Sequence, residues 1–351
     1  MTKPPYRIPL MSELATVEPN GLNVVSTFSG CGGSCLGFKM AGYRPVWASE
    51  FIEAARETYV ANSPGVPIDA RDIREVTGDS IRDSWLLDSD DELDVLEGSP
   101  PCASFSLSGK RNKLWGAQKK YSDTTQRVDD LFFEFARILG ELKPRAFVAE
   151  NVKGLVQGAA IGYFKEIFSA LTEAGYDVQA RVLDAQWLGV PQHRERVIFV
   201  GTRKDLSLAA SYPSPLPYRY TIREVLDESP TDWRNDPETG ENISIEKYSL
   251  HQLYRSLRPG TGHDARQNLT RASFEKPSPC VVQTGGNVAA AGVCHPSEPR
   301  RFTLPELRRI CGFPDDFVLT GSFWKRWERL GRAVPPPMMK AVAEKLSEVL
   351  V

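Results

Sequence analysis

Residues 22–41 narrow the possible folds more than any other stretch: Leu-Asn-Val-Val-Ser-Thr-Phe-Ser-Gly-Cys-Gly-Gly-Ser-Cys-Leu-Gly-Phe-Lys-Met-Ala. Residues 22–28 read as a strand and residues 34–41 carry a helical period. Between them, Gly30-Cys31-Gly32-Gly33 makes a turn where a ligand can approach the backbone closely. About twenty residues further on, a second short strand, 44–50, ends in Glu50, where a doubly wound fold places the carboxylate that takes ribose hydroxyls. The pattern then repeats. A helix at 51–62 leads to an acidic strand end at Asp72, and a helix at 128–142 leads to the strand 146–152 with Glu150. A helix at 163–174 is followed by strands at 178–183 and 196–200. Apolar strands alternating with helices predict an α/β fold with a Rossmann-like, largely parallel sheet.

A chain of 351 residues with 41% hydrophobic residues suits two domains and a sizeable core. Its net charge of -2 means that a nucleic-acid partner must be met by local basic patches. Six cysteines are too few for a disulfide scaffold at this length. Cys31 and Cys35 lack a second pair or a nearby histidine, so they read as packing residues and no metal is expected. With no secretory leader and no long apolar span, a cytoplasmic protein without membrane contact is expected.

The residues that suggest chemistry gather at strand ends. The run 91–96 reads as a buried strand, and Glu97-Gly98-Ser99-Pro100-Pro101-Cys102 follows it. Gly98 and two prolines make that loop stiff and put Cys102 at its tip. Most lone cysteines are small buried hydrophobes. Cys102 is singled out because Glu150 ends a strand at the same sheet edge. Residues 109–121 carry Lys110, Arg111, Lys113, Lys119 and Lys120 with no acid, and read as a basic lid. Arg194 and Arg196 alternate on entry to a strand and so point the same way, able to hold an anion or a carbonyl oxygen. Beyond residue 202 the chain becomes loop-rich, with 283–287 reading Gln-Thr-Gly-Gly-Asn, before helix-forming sequence returns at 304–311, 323–330 and 337–350.

In this order the motifs resemble the DNA cytosine-5 methyltransferases. Phe28-Ser29-Gly30-Cys31-Gly32-Gly33 is similar to that family's first cofactor motif. Gly98-Ser99-Pro100-Pro101-Cys102 is similar to its nucleophile loop, Glu150-Asn151-Val152 to its E-N-V motif, and Gln192-His193-Arg194-Glu195-Arg196 to Q-x-R-x-R. Arg301-Phe302-Thr303 with Glu306, Arg309 and Phe313-Pro314 resembles the ninth motif, and Gly331-Arg332-Ala333-Val334-Pro335-Pro336 the last.

The resemblance implies transfer of a methyl group from S-adenosylmethionine to C5 of a flipped-out cytosine, through a covalent bond between Cys102 and C6. Glu150 would hold N3 and the exocyclic amine, Arg194 the O2 carbonyl, and Arg196 would support the site. The cofactor would meet Phe28, Ser29, Gly30, Gly32, Gly33, Glu50, Phe51, Asp72, Ile73, Gly98, Pro100, Leu131, Arg332, Ala333 and Val334. Double-stranded DNA would meet Ser104, Ser106, Lys110, Arg111, Gln192, Arg266, Arg271, Thr284, Gly285 and Gly286. The implied domains are an arm (1–20), a catalytic and cofactor-binding domain (21–202) and a smaller, loop-rich target-recognition domain (203–299). A hinge with the ninth motif (300–330) and a C-terminal helix returning to the catalytic domain (331–351) complete them. A monomer suffices for base flipping, a cognate restriction endonuclease is a conceivable partner, and DNA affinity should fall steeply with salt.

Four positions depart from the family's pattern. Ser26 stands where an acid usually precedes the glycine turn, Ala103 follows the nucleophile where glutamine is frequent, and Cys311 replaces a glutamine of the ninth motif. Arg332 replaces the asparagine of the last. A guanidinium near a sulfonium is unfavourable unless an anion lies between them. Either Arg332 turns away to a protein carboxylate or DNA phosphate, or it recognises the carboxylate of carboxy-S-adenosylmethionine and the product is 5-carboxymethylcytosine. Rival functions are a nicotinamide-dependent oxidoreductase, a catalytically silent DNA-binding regulatory module and an RNA cytosine methyltransferase. The first leaves the Pro-Pro-Cys, E-N-V and Q-x-R-x-R motifs without a task. The second is at odds with intact Cys102, Glu150 and Arg194, and the third with the long segment 203–299.

Overall fold

The structure, a computed structural model, describes residues 3–88, 91–101, 119–121, 124–126, 130–226, 232–263, 266–290 and 292–351. In chain order, helix α1 (Met11–Leu14) precedes strand β1 (Asn23–Thr27), α2 (Gly33–Met40), β2 (Arg44–Ser49), α3 (Glu53–Asn62), β3 (Ile68–Asp69), α4 (Gly78–Arg82) and β4 (Val95–Gly98). A small antiparallel pair follows, β5 (Lys119–Tyr121) and β6 (Thr124–Gln126). Then come α5 (Leu131–Leu142), β7 (Ala146–Val152), α6 (Ile161–Glu173), β8 (Tyr176–Asp184) and β9 (Glu195–Arg203). The remainder holds α7 (Ile222–Val225), α8 (Leu250–Ser256), β10 (Thr261–His263), β11 (Arg266–Arg271), β12 (Val293–Cys294), α9 (Leu304–Cys311), α10 (Phe323–Arg332) and α11 (Pro336–Leu350).

The chain forms two units. One, made of residues 17–183, 195–213 and 339–351, carries the seven-stranded sheet in the order β3-β2-β1-β4-β7-β9-β8. Strands β3, β2, β1, β4 and β7 run parallel, and β9 pairs antiparallel with β7. Strands covered on both faces need unbroken apolar runs, and Val24, Val25, Val46, Trp47, Val95, Leu96, Phe147, Val148, Phe199 and Val200 are all buried. Helix α5 buries Leu131, Phe132, Phe135, Ile138, Leu139 and Leu142 at helical spacing. It stops at Lys143, left-handed at φ 50°, just ahead of Pro144. Its rings meet the sheet edge-on, Phe132 5.4 Å from Phe199 and Phe135 6.0 Å from Phe147, and within the sheet Phe147 lies 5.3 Å from Tyr176. Such pairs each add about 1 kcal/mol beyond the area they bury. The end of α11 belongs to this unit, where the Leu350 carbonyl accepts from Arg145 at 2.6 Å and the Ala343 carbonyl from Tyr43 at 3.1 Å.

The other unit comprises residues 1–16, 184–194 and 214–338. Its small sheet pairs β10 antiparallel and β12 parallel with β11. The bounds differ from those expected at both ends. The arm is tied down: the Tyr6 hydroxyl donates to the Arg309 carbonyl at 2.6 Å and the Met11 N–H to Asp316 at 2.8 Å. Residues 184–194, just before β9, join this unit because Gln192 bonds the Val281 N–H and His193 the Ser278 carbonyl. Arg300 is fully buried and made tolerable by carboxylates, Glu306 at 2.7 Å and Glu298 at 2.6 Å.

Candidate active site

The glycine turn is the first constructed feature. After β1 the backbone turns left-handed at Phe28 (φ 52°), an unusual conformation for a residue with a side chain. Gly32, at φ 92°, then caps α2. Glu50, buried at the end of β2, locks the turn: one carboxylate oxygen accepts the Gly30 N–H at 2.7 Å and the other the Ile52 N–H at 2.7 Å. A Cβ on Gly30 would meet nothing within 4 Å, which leaves room beside the turn. Phe51 is exposed and presents its ring to solvent. The turn, Glu50 and the open ring make a cradle suited to an adenosyl cofactor.

Asp72 acts as a cap, accepting from the Arg74 N–H at 3.1 Å and pairing with the Arg74 guanidinium at 2.8 Å. Arg74 also reaches Asp130 at 2.6 Å, which fixes the start of α5. Ile73 and Leu131 are buried in the core cluster under the sheet. Cys31 and Cys35 are buried, and Cys35 lies 3.2 Å from the Tyr59 hydroxyl, so both are packing residues. Burial pushes the Cys35 thiol up to about 12, with Glu97 adding to the rise.

The second feature is the end of β4. Gly98 is required there by space: a Cβ would stand 2.5 Å from Thr27 Oγ1 and 2.9 Å from the Phe135 ring. The buried Asn151 side chain donates to the Pro100 carbonyl at 3.1 Å, tying the proline loop to β7. One residue earlier on β7, Glu150 pairs with Arg196 of β9 at 2.7 Å, both side chains nearly buried. Cys102, Ser104, Ser106, Lys110 and Arg111 lie outside the described residues.

In the other unit, Arg194 is buried and its two Nη groups donate to main-chain oxygens, Val281 at 3.1 Å, Gly331 at 3.1 and 3.2 Å, and Arg332 at 3.2 Å, while its buried Nε has no hydrogen-bond partner among the described residues. The two alternating arginines therefore have different partners, a carboxylate for Arg196 and the end of α10 for Arg194. Arg332 pairs with Glu328 one helical turn back, at 2.7 Å. Val334 is buried and Ala333 half-buried. Gln192 is buried, with its amide donating weakly to the Ile310 carbonyl and Cys311 Sγ, both at 3.4 Å. Arg271 donates to the carbonyls of Pro296 (2.8 Å) and Leu257 (3.1 Å) and lies over the Tyr254 ring. Both are expected DNA contacts, and in the structure both also have internal partners. Thr284 is exposed, while Gly285 and Gly286 are buried against Trp327. The Arg266 side chain lies outside the described residues.

Two residues escaped the sequence reading. Asn151 was legible only as part of the E-N-V motif. Glu97 was legible only as the first residue of the loop after the strand at 91–96, yet it is 1% exposed and bonded to Ser26 and Ser34.

A glycine turn after the first strand, an acid closing the second and a reversed strand beside β7 define the core of an S-adenosylmethionine-dependent methyltransferase. Solved structures share this fold. A prophage-encoded E. coli protein superposes with a TM-score of 0.74 at 24% identity, covering 94% of this chain and 99% of its own. A variant of Spodoptera frugiperda DNMT2 superposes with a TM-score of 0.68 at 18% identity, covering 93% and 99%. In sequence, the C-5 cytosine-specific DNA methylase family matches residues 22–348. The Type II methyltransferase M.Sau96I of Staphylococcus aureus is 30% identical over 98% of this chain and 80% of its own length. M.MthTI of Methanothermobacter thermautotrophicus is 29% identical over 94% and 98%. The chain belongs to the C-5 cytosine-specific DNA methylase family and is an enzyme of DNA cytosine-5 methylation.

Proposed function

We propose that the chain methylates C5 of a cytosine swung out of duplex DNA, by way of a transient bond from Cys102 Sγ to C6. The observation that carries this reading is the Glu150–Arg196 pair at 2.7 Å, on the strand beside the one that runs into Pro100-Pro101-Cys102. As a thiolate, Cys102 adds to C6 and makes C5 enamine-like. Glu150 hydrogen-bonds N3 and the exocyclic amine and shares the N3 proton as charge builds on the ring. Arg196, already on Glu150, is a candidate for the O2 carbonyl beside Arg194, whose Nη groups donate to main-chain oxygens and position the loop before β9. When the C5 proton leaves to a base, the bond from sulfur to C6 breaks and the thiolate returns. Bound S-adenosylmethionine supplies the electrophilic methyl group. The turn at 28–33, Glu50 and Phe51 would hold it.

The Arg332–Glu328 pair favours the ordinary donor over carboxy-S-adenosylmethionine, since the guanidinium has a protein anion within its own helix. Duplex DNA is the substrate. A restriction endonuclease that cuts the same site is the expected partner, given the Type II names of the relatives. The test is nucleoside mass spectrometry on mixed-sequence duplex DNA, with each donor supplied separately and Cys102→Ala as control. A gain of 5-methylcytosine absent from the control is expected. A carboxymethyl product lost in Arg332→Asn would reassign the donor. No product at all, with DNA binding intact, would sink the reading.

A further inference from the structure

Glu97 is the buried acid for which neither the family motifs nor the proposed chemistry has a use. It faces Ser26 directly across the parallel pair β1 and β4. Its first carboxylate oxygen accepts from Ser26 Oγ, and its second from Ser34 Oγ at 2.6 Å. Ser26 Oγ in turn shares a hydrogen bond with Ser29 Oγ at 2.7 Å. Ser29 and Ser34 flank the glycines at 30–33, so one carboxylate grips both ends of the turn. All three serines are buried, so these hydroxyls have little water to turn to. Ser26 is also the position at which the acid of the family's pattern is missing. The carboxylate at this place in the sheet comes from β4, and Ser26 donates to it.

We propose that Glu97 is a positioning residue for binding of the methyl donor, holding the glycine turn in its binding shape through Ser26 and Ser34. This rests on the turn being the donor site. The ionisable groups around Glu97 are Glu150 from β7, Cys35 from α2 and Tyr59 from α3. Among the described residues no lysine or arginine forms an ion pair with Glu97. Burial pushes its carboxyl up to about 7, with Glu150 adding to the rise and the two serine hydroxyls opposing it. Near neutrality the clamp therefore changes between a charged form, whose oxygens both accept strongly, and a neutral form with one weaker acceptor. The donor carries a net positive charge and favours the charged form, so its affinity should rise with pH through 7.

The experiment is calorimetric titration of S-adenosylmethionine into the full-length protein at pH 6 and pH 8. Wild type, Glu97→Gln, Ser26→Asp and the double variant Ser26→Asp/Glu97→Ser are compared. Wild type should bind several-fold tighter at pH 8. Glu97→Gln should bind about tenfold more weakly at pH 8 and lose the pH dependence. Ser26→Asp sets two carboxylates face to face and should bind more weakly still. The double variant returns the acid to β1 and should recover affinity to within about threefold of wild type, which a variant that merely unfolds cannot do. Equal affinity of Glu97→Gln and wild type at pH 8, or a double variant no better than Ser26→Asp, overturns the proposal. Failure of wild type to bind the donor at either pH would instead bring down the donor-site reading on which it stands.

Discussion

Substituting Glu97 by Gln should change how stability depends on pH. The carboxyl has a folded-state pKa of about 7 against an ordinary 4.5. Its proton is therefore bound more tightly in the folded chain. That stabilisation is complete below pH 4.5 and is lost as pH rises through 7. The difference corresponds to roughly 3 kcal/mol once both states are ionised, of which roughly 2.5 kcal/mol falls between pH 5 and pH 8. Glutamine keeps the shape and much of the bonding to Ser26 and Ser34, but never ionises. Its stability relative to wild type should therefore rise by roughly 2–3 kcal/mol from pH 5 to pH 8. The assay is paired urea denaturation of the two proteins at unit steps of pH, read by tryptophan fluorescence. A constant difference across that range would refute the reasoning, because it would mean that Glu97 ionises as freely folded as unfolded.

Three further outcomes are expected. Gly98→Ala forces a methyl group against Thr27 Oγ1 and the Phe135 ring, and should cost about 1–3 kcal/mol of stability; an unchanged melting temperature would show that β4 can shift away. Arg196→Ala removes the partner of Glu150 and should lower the turnover rate by about a hundredfold while donor affinity stays within about twofold; single-turnover kinetics beside the donor titration separates the two. Affinity for duplex DNA should fall at least about tenfold between 50 and 200 mM salt despite the net charge of -2. A fluorescence-anisotropy series with no salt slope would argue against binding through basic side chains.

Glu238 illustrates how tertiary contacts escape a linear reading. It pairs with Arg308, 70 positions away, and with Arg326 at 3.2 Å, 88 positions away. Nothing local marks it out. His295 is similar: burial, reinforced by the neighbouring Arg300, holds it down to about 3, although the sequence shows only a histidine among prolines and serines.

The succession of strands and helices, the glycine turn, Glu50 at the end of the second strand and the order of the motifs can all be read along the chain. These depend on periodicity and on residues close together along the chain, which obey local rules of backbone geometry. The tertiary structure decided which polar groups meet. It set Arg196 rather than Arg194 on Glu150 as the observed ion pair, gave Gln192 and Arg271 internal partners, and put Glu97 opposite Ser26. Sequence spacing reports which side chains share a face of one strand, but the neighbour across a parallel pair is supplied by a crossover. Ser26 and Glu97 are 71 positions apart and in hydrogen-bonding contact because β1 and β4 lie side by side in the sheet.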